Sequence, residues 1–144
     1  MKFFKKLTDK RLVKEIKSQQ GEIHFRRWKI IESKFFNIYI HQILKPDEDV
    51  HLHDHPWNFL SFILANGYWE QLEEQPYIHL PFSILYRKAE QAHSIRFFID
   101  EQENKACWTF VITGKRKRDW GYILDDGSWI NNKEYRILKH AGKL

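Results

Sequence analysis

The sequence predicts an all-β domain built as a sandwich, a jelly roll or a barrel. From residue 22 onward, short spans rich in β-branched and aromatic side chains alternate with clusters of Gly, Pro, Asn and Asp, which is the pattern of strands separated by turns. About eight to ten such spans occur without internal repeats or a linker, as is typical of packed sheets or a closed barrel. With 144 residues, 42% of them hydrophobic, the chain can form the core of one domain.

The spans can be placed along the chain. We expect strands over residues 22–31, 35–44, 58–64, 68–72, 81–88, 93–99, 107–113, 122–124 and 128–130. Asn66 and Gly67 form a strong hairpin signal and predict a tight turn between the third and fourth of these spans. A second hairpin is expected around the Asp-Asp-Gly run at residues 125–127, and no helix is predicted after residue 20.

Residues 1–20 predict a basic amphipathic helix, followed by a β domain over residues 21–144. This segment contains seven Lys or Arg residues and two acidic residues, so it carries the whole net charge of +5. Gly21 supplies a stop signal. The apolar residues that recur at roughly helical spacing are Phe3, Phe4, Leu7, Leu12, Val13 and Ile16. Such a helix can either lay its apolar stripe on the domain or touch an anionic surface.

The remaining composition limits location and partners. Basic and acidic residues balance after residue 20, so nucleic acid is the weakest of the partner classes. No apolar run reaches the length of a membrane span, and charges at residues 9–11 interrupt the start that a signal peptide would need. We therefore expect a cytoplasmic protein. The single cysteine, Cys107, excludes an internal disulfide and is interpreted as a buried small residue.

Three histidines at alternate positions, His51, His53 and His55, are the most informative feature of the chain. Alternate side chains of a strand project from one face about 6.5 to 7 Å apart, so two of these imidazoles could hold one metal ion. The alternative interpretation is that the histidines cap a loop or form hydrogen bonds inside a barrel.

The spacing from His53 and His55 to Gly67 resembles the first motif of the cupins, and the segment around His93 resembles the second. The resemblance implies a cupin-type jelly-roll barrel, or double-stranded β-helix, whose inner wall brings His53, His55 and His93 to one divalent metal. Three neutral imidazoles suit Fe, Mn, Ni or Zn. Leu60 stands where the first motif has a glutamate, and a three-histidine set resembles the thiol dioxygenase branch of the family. His51 is expected outside the ligand set, either next to the ligands or at the rim of the substrate pocket.

A second resemblance is to cupin-like proteins of bacteria and their phages, carried by residues 53–57, 67–70, 93, 108–114 and 119–122. It implies that Glu70, Arg118 and Trp120 share the histidine site, with Trp57 and Trp120 as walls. Simple packing is the alternative role for the aromatic residues. We expect Glu70 and Arg118 to be catalytic, because a divalent ion among neutral imidazoles attracts a carboxylate or an anionic substrate, and Arg118 could bind that substrate.

The function expected from these features is a metal-dependent enzyme acting on a small, anionic molecule. Oxygenase-type chemistry comes first, and isomerase or lyase chemistry next. A metal-free relative of the sugar epimerases would instead use a histidine as general base, His53 beside Asp54 or His93 beside Glu70. Two non-catalytic alternatives remain, an adaptor that docks through the basic helix and a binding module. In the binding module, the residues that hold the anion would be Arg87, Arg96 and Arg118. A homodimer is also left open.

Overall fold

The computed structural model describes residues 11–18, 20–98 and 106–144. Two six-stranded antiparallel sheets pack face to face in this part of the chain, followed by one C-terminal helix. The strands are β1 (Leu12–Lys17), β2 (Ile23–Glu32), β3 (Asn37–Ile43), β4 (Leu52–His53), β5 (Phe59–Ala65), β6 (Tyr68–Leu72), β7 (Pro76–His79), β8 (Ile84–Arg87), β9 (His93–Phe98), β10 (Cys107–Thr113), β11 (Gly121–Ile123) and β12 (Trp129–Asn131). The helix, α1, spans Asn132–His140.

The strand orders show a jelly roll, because consecutive strands cross repeatedly between the sheets. The first sheet has the order β1-β2-β3-β10-β5-β8, and the second has the order β12-β11-β4-β9-β6-β7. All nine predicted strands occur, two of them, β6 and β10, with the predicted bounds. Three further strands, β1, β4 and β7, were not predicted because they are short or lack a clear period-two pattern.

The core lies between the two sheets and follows the period-two pattern of the central strands. Residues 107, 109, 111 and 113 of β10 are buried while those between them are partly exposed, as expected for a strand with one face on the core. The main apolar cluster draws on both sheets and consists of Ile43, Phe59, Ile63, Tyr68, Leu85, Cys107 and Val111. Full burial of each large side chain contributes roughly 1.5–3 kcal/mol. The interpretation of Cys107 as a buried residue is confirmed.

The hairpin predicted at Asn66 and Gly67 is wrong, although a tight turn is present. The strands on either side belong to different sheets: β5 pairs with β10 and β8, and β6 pairs with β7 and β9. Asn66 has a positive φ of 56° and Gly67 does not, whereas a type I′ hairpin turn needs positive φ at both. The turn is therefore a corner between the sheets. The second predicted hairpin is confirmed, since β11 pairs with β12 and Gly127 has a φ of 81°.

The N-terminal amphipathic helix is not supported. Residues 12–17, which the apolar spacing assigned to it, form strand β1 at the edge of the first sheet, paired with β2. The free edge of β2 offers backbone hydrogen bonds that outweigh a weak helical pattern. Residues 1–10 lie outside the described part of the chain, and the division of the chain at residue 20 stays a prediction.

The C-terminal helix was missed by sequence reasoning. The Asn131 side chain caps it by accepting a hydrogen bond from the Lys133 amide at 3.0 Å. Tyr135 is buried against the second sheet. Glu134 in the first turn and Lys139 in the last suit the helix dipole, so these capping signals could have identified it. No helix in the described ranges has the length and apolarity required to cross a membrane.

Candidate metal centre

His53, His55 and His93 converge between the two sheets. One ring nitrogen of each imidazole lies within 4.8 Å of those of the other two. The Nε2 atoms of His55 and His93 are 2.7 Å apart, and the ring centroids of the three pairs are 4.9 to 5.2 Å apart. Three donor atoms at such separations could hold a single metal ion.

Strand pairing explains the convergence. Strand β4 lies between β11 and β9, and His53 is aligned with His93 on one side and with Tyr122 on the other. His55 follows the end of β4, where its backbone N–H donates to the Ala89 carbonyl at 3.0 Å. The pairing of β4 with β9 and the anchored loop residue His55 therefore bring together histidines that lie 38 to 40 positions apart in the sequence.

The environment keeps two of the imidazoles neutral. Burial is the main factor that lowers the pKa of His53 to about 4. Burial also holds the pKa of His55 well below its ordinary value, and the neighbouring His93 and His53 add to this effect. A neutral imidazole is the form that binds a metal, so both side chains are prepared for ligation at neutral pH. Both also retain partial exposure.

Glu70 is fully buried next to this cluster and accepts several hydrogen bonds. His93 Nδ1 contacts Oε1 at 2.6 Å, and His79 Nε2 contacts Oε2 at 2.6 Å. Arg87 donates through Nε to Oε1 at 3.1 Å and through Nη2 to Oε2. Burial opposes ionisation of Glu70, but the bonds from His79, His93 and Arg87 outweigh it and hold its pKa far below the ordinary value.

An ionised Glu70 accepts but cannot donate, so His93 must carry its proton on Nδ1. The lone pair of His93 then lies on Nε2, the atom that faces His55. A carboxylate that orients a histidine in this way is the usual outer partner of a metal-binding imidazole. Glu70 therefore lies beside the histidine cluster, in contact with one of its members.

Asp54 and Arg118 form a second ion pair, in which Asp54 is buried and Arg118 is partly exposed. Arg118 Nη1 donates to Asp54 Oδ2. The Cζ atom of Arg118 lies 5.6 Å from the centroid of the Trp129 ring. Asp54 also accepts from the Gly121 amide at 2.7 Å and from Trp129 Nε1 at 2.9 Å. These bonds tie the strand that carries the histidines to β11 and β12, so the Arg118 guanidinium is already engaged.

His51 belongs to a different cluster. Its Nδ1 lies 3.0 Å from the Tyr135 hydroxyl. Tyr135, Tyr122 and Lys139 all donate to the Asp49 carboxylate. This network fixes α1 against the second sheet. His51 thus contacts the helix and is not one of the three converging histidines.

The other predicted site residues are distributed around the cluster. The Trp120 ring lies 6.4 Å from that of His53, and Trp57 packs against the apolar core. Arg87 is bonded to Glu70, as described. Arg96 donates to the backbone carbonyls of residues 49 and 50 at 3.1 and 2.7 Å. His79 was missed: it lies diagonally from Glu70 on the paired strands β6 and β7, and no local motif marks it.

The comparisons with known proteins identify the fold. Neither the scan of protein-family models nor the search of curated proteins found a match. Among solved structures, a cupin-2 domain from Rhodospirillum rubrum is similar at a TM-score of 0.62 and 9% identity, over 90% of this chain and 80% of that one. The polyketide cyclase RemF from Streptomyces resistomycificus is similar at a TM-score of 0.60 and 14% identity, over 96% of this chain and 94% of that one. The Fe(II) form of HppE is similar at a TM-score of 0.56 and 12% identity, over 74% of this chain and 57% of that one. The chain has the cupin jelly-roll fold.

Proposed function

We propose that this protein is a metal-dependent enzyme that acts on a small molecule, with His53, His55 and His93 as the metal ligands. The observation that carries the proposal is the contact between His93 and the buried Glu70. A buried carboxylate that fixes the tautomer of a histidine, within a group of three histidines whose donor atoms lie within 4.8 Å, is the arrangement of a metal site with its outer partner.

The donor set favours a first-row transition metal. Three neutral nitrogen ligands suit Fe, Mn, Ni or Zn, and they leave positions open for other ligands. When bound, such an ion can bind oxygen, polarise a carbonyl group or lower the pKa of water. The partial exposure of His53 and His55 leaves room for a substrate on one side of the cluster.

Oxygenase-type chemistry is our first proposal, with isomerase or lyase chemistry second. A metal-free epimerase-like mechanism needs a carboxylate or histidine that is free to move protons. Glu70 accepts bonds from three side chains, and Asp54 accepts bonds from two side chains and one amide. Because both are occupied, we infer that they act as positioning groups, and that the metal supplies the chemistry.

The catalytic roles expected for Glu70 and Arg118 stay predictions. Their contacts favour indirect roles, in which Glu70 orients His93 and Arg118 holds Asp54. Among proteins with this fold, RemF is a polyketide cyclase and HppE has been solved in an Fe(II) form, and together they support a metal-dependent enzyme as the general class and leave the reaction open.

Elemental analysis of protein purified without an affinity tag tests the proposal. We expect about one transition-metal ion per chain, its complete loss in His93→Ala, and no loss in the control His140→Ala, which changes an exposed residue of α1. Iron would favour oxygenase-type chemistry. A wild-type protein that stays metal-free when supplied with Fe, Mn, Ni and Zn salts would contradict the proposal and favour a binding module. Light scattering on the same sample tests the homodimer.

A further inference from the structure

The inner face of the first sheet carries a group of cations that the histidine site does not use. Arg27 on β2 is aligned with His41 on β3, which is aligned with Thr109 on β10, so the three side chains lie in one row across the sheet. Lys14 of β1 is aligned with Arg27 and extends the row to the sheet edge. His41 and Thr109 are buried, at 9% and 2% exposure.

Arg27 is held in place without a carboxylate. Its Nε donates to His41 Nε2 at 3.0 Å. The guanidinium carbon lies 4.9 Å from the Tyr39 ring centroid and 5.5 Å from that of Phe25. No acidic side chain of the described residues pairs with Arg27 or Lys14, and both terminal nitrogens of Arg27 lack an acceptor there. A partly buried guanidinium with two free donors is suited to bind an oxyanion end-on.

Thr109 and Lys14 also support an anion site in this row of side chains. The Thr109 Oγ1 atom is buried and has no hydrogen-bond partner within the described ranges, although buried polar atoms are nearly always bonded. Lys14 is exposed as a residue, but partial burial of its ammonium group lowers its pKa to about 8, and repulsion from Arg27 and Arg136 adds to this. Uncompensated positive charge is therefore concentrated here, and an anion would relieve it.

The row faces the same interior as the histidines. The Phe25 ring contacts His41 at 4.9 Å, the Phe59 ring contacts His55 at 4.9 Å, and both phenylalanines belong to the same apolar core. One small molecule could therefore reach both groups.

We propose that Arg27, Lys14 and the Thr109 hydroxyl form an oxyanion site that receives a carboxylate or phosphate group of the substrate, while the reacting part of that molecule lies at the three histidines. His41 acts as a positioning residue, because its neutral ring accepts the bond that orients the Arg27 guanidinium. The proposal rests on the proposed function for the identity of the ligand, but the anion site itself does not require the metal.

The test is titration calorimetry of the full-length protein with inorganic phosphate and, separately, with succinate, at constant ionic strength. We expect binding of at least one anion, and Arg27→Gln to weaken it by about 10- to 100-fold, the loss typical of a charge-assisted hydrogen-bonded pair. Arg26→Gln is the matched control, since Arg26 lies on the opposite face of β2 and bonds Glu15 and Gln42. Tighter phosphate binding would assign a phosphate group, and tighter succinate binding a carboxylate.

Three additional variants protect the test from misfolding and from failure of the metal proposal. Lys14→Gln and Thr109→Val should each weaken binding less than Arg27→Gln, and both are expected to fold even if Arg27→Gln does not. His93→Ala should lose metal and keep phosphate or succinate binding within about threefold, because the hydrogen bond of Arg27 is to His41 and not to His93. Absence of binding of both anions, unchanged binding in all three variants of the site, or an equal loss in Arg26→Gln would overturn the proposal.

Discussion

His93 Nδ1 lies 2.6 Å from a carboxylate oxygen of Glu70, and this bond determines which nitrogen of His93 faces the other two histidines. The two residues come from adjacent strands, β9 and β6. The carboxylate accepts three further bonds, from His79 and Arg87, so it is held rigidly. A buried charge with this many partners constrains the orientation of the His93 ring.

Replacement of Glu70 by Gln should weaken metal binding by about 10- to 100-fold without abolishing it, because outer-partner changes typically have this size. An amide can still accept from His93 but no longer stabilises its orientation by charge. Competition with a metallochromic chelator measures the affinity. Affinity unchanged from the wild type would show that the bond has no role in ligation.

Replacement of His51 by Ala should leave the metal content unchanged and lower stability by about 0.5–1.5 kcal/mol, since it removes one hydrogen-bond partner of the Tyr135 hydroxyl, which still contacts Asp49. Urea unfolding and elemental analysis on the same preparation separate the two effects. A metal loss equal to that of His53→Ala would place His51 in the ligand set after all.

Replacement of Asp54 by Asn should destabilise the protein by about 1–3 kcal/mol, because Arg118 and Trp129 Nε1 lose a charged acceptor. The expected loss of stability is smaller than that for a fully buried ion pair, because 27% of the Arg118 side chain is exposed. Thermal and urea unfolding provide the measurement. Glu90→Gln, at an exposed pair with Lys117, is the control and should have little effect.

Gly121 cannot be replaced by alanine without a backbone shift. An added Cβ would lie 1.9 Å from the Ile130 carbonyl oxygen in the paired strand β12. We expect Gly121→Ala to cost at least the roughly 1–3 kcal/mol of an overpacked site, or to prevent folding. Gly114→Ala is the matched control, because its Cβ would meet Asn58 at an ordinary 3.6 Å. Equal stability of the two variants would contradict the close packing of β11 on β12.

Stability should fall as the pH is lowered, and His41 contributes to this fall. Burial, followed by the charges of Arg27 and Lys14, holds the pKa of His41 well below 6.5 in the folded state. The unfolded chain binds this proton near pH 6.5, so the contribution is fully present above that pH. It is lost toward lower pH at about 1.4 kcal/mol per pH unit. In metal-free protein between pH 7 and 5, His41→Gln should lose less stability than the wild type. Parallel losses would show that His41 is protonated in both states.

Local pattern was sufficient for most strands and for the three histidines that converge. Period-two alternation predicted the β10 range without error, because a strand with one buried face records its environment in neighbouring residues. The fold class, a jelly roll, and the histidines at positions 53, 55 and 93 also followed from sequence spacing and resemblance. These features depend on residues close together in the chain or on two short motifs.

The partners of those residues were decided in three dimensions. Asn66 and Gly67 predicted a turn correctly, but whether it closed a hairpin depended on which distant strands paired with β5 and β6. The apolar spacing of residues 12–17 was compatible with a helix until the edge of β2 provided a partner. Glu70 meets His79, Arg87 and His93, and Arg27 meets His41, only because strand pairing and sheet packing bring together residues 9 to 23 positions apart. Side-chain pairing of this kind leaves no periodic trace in a single sequence, because each residue alone satisfies the same strand pattern.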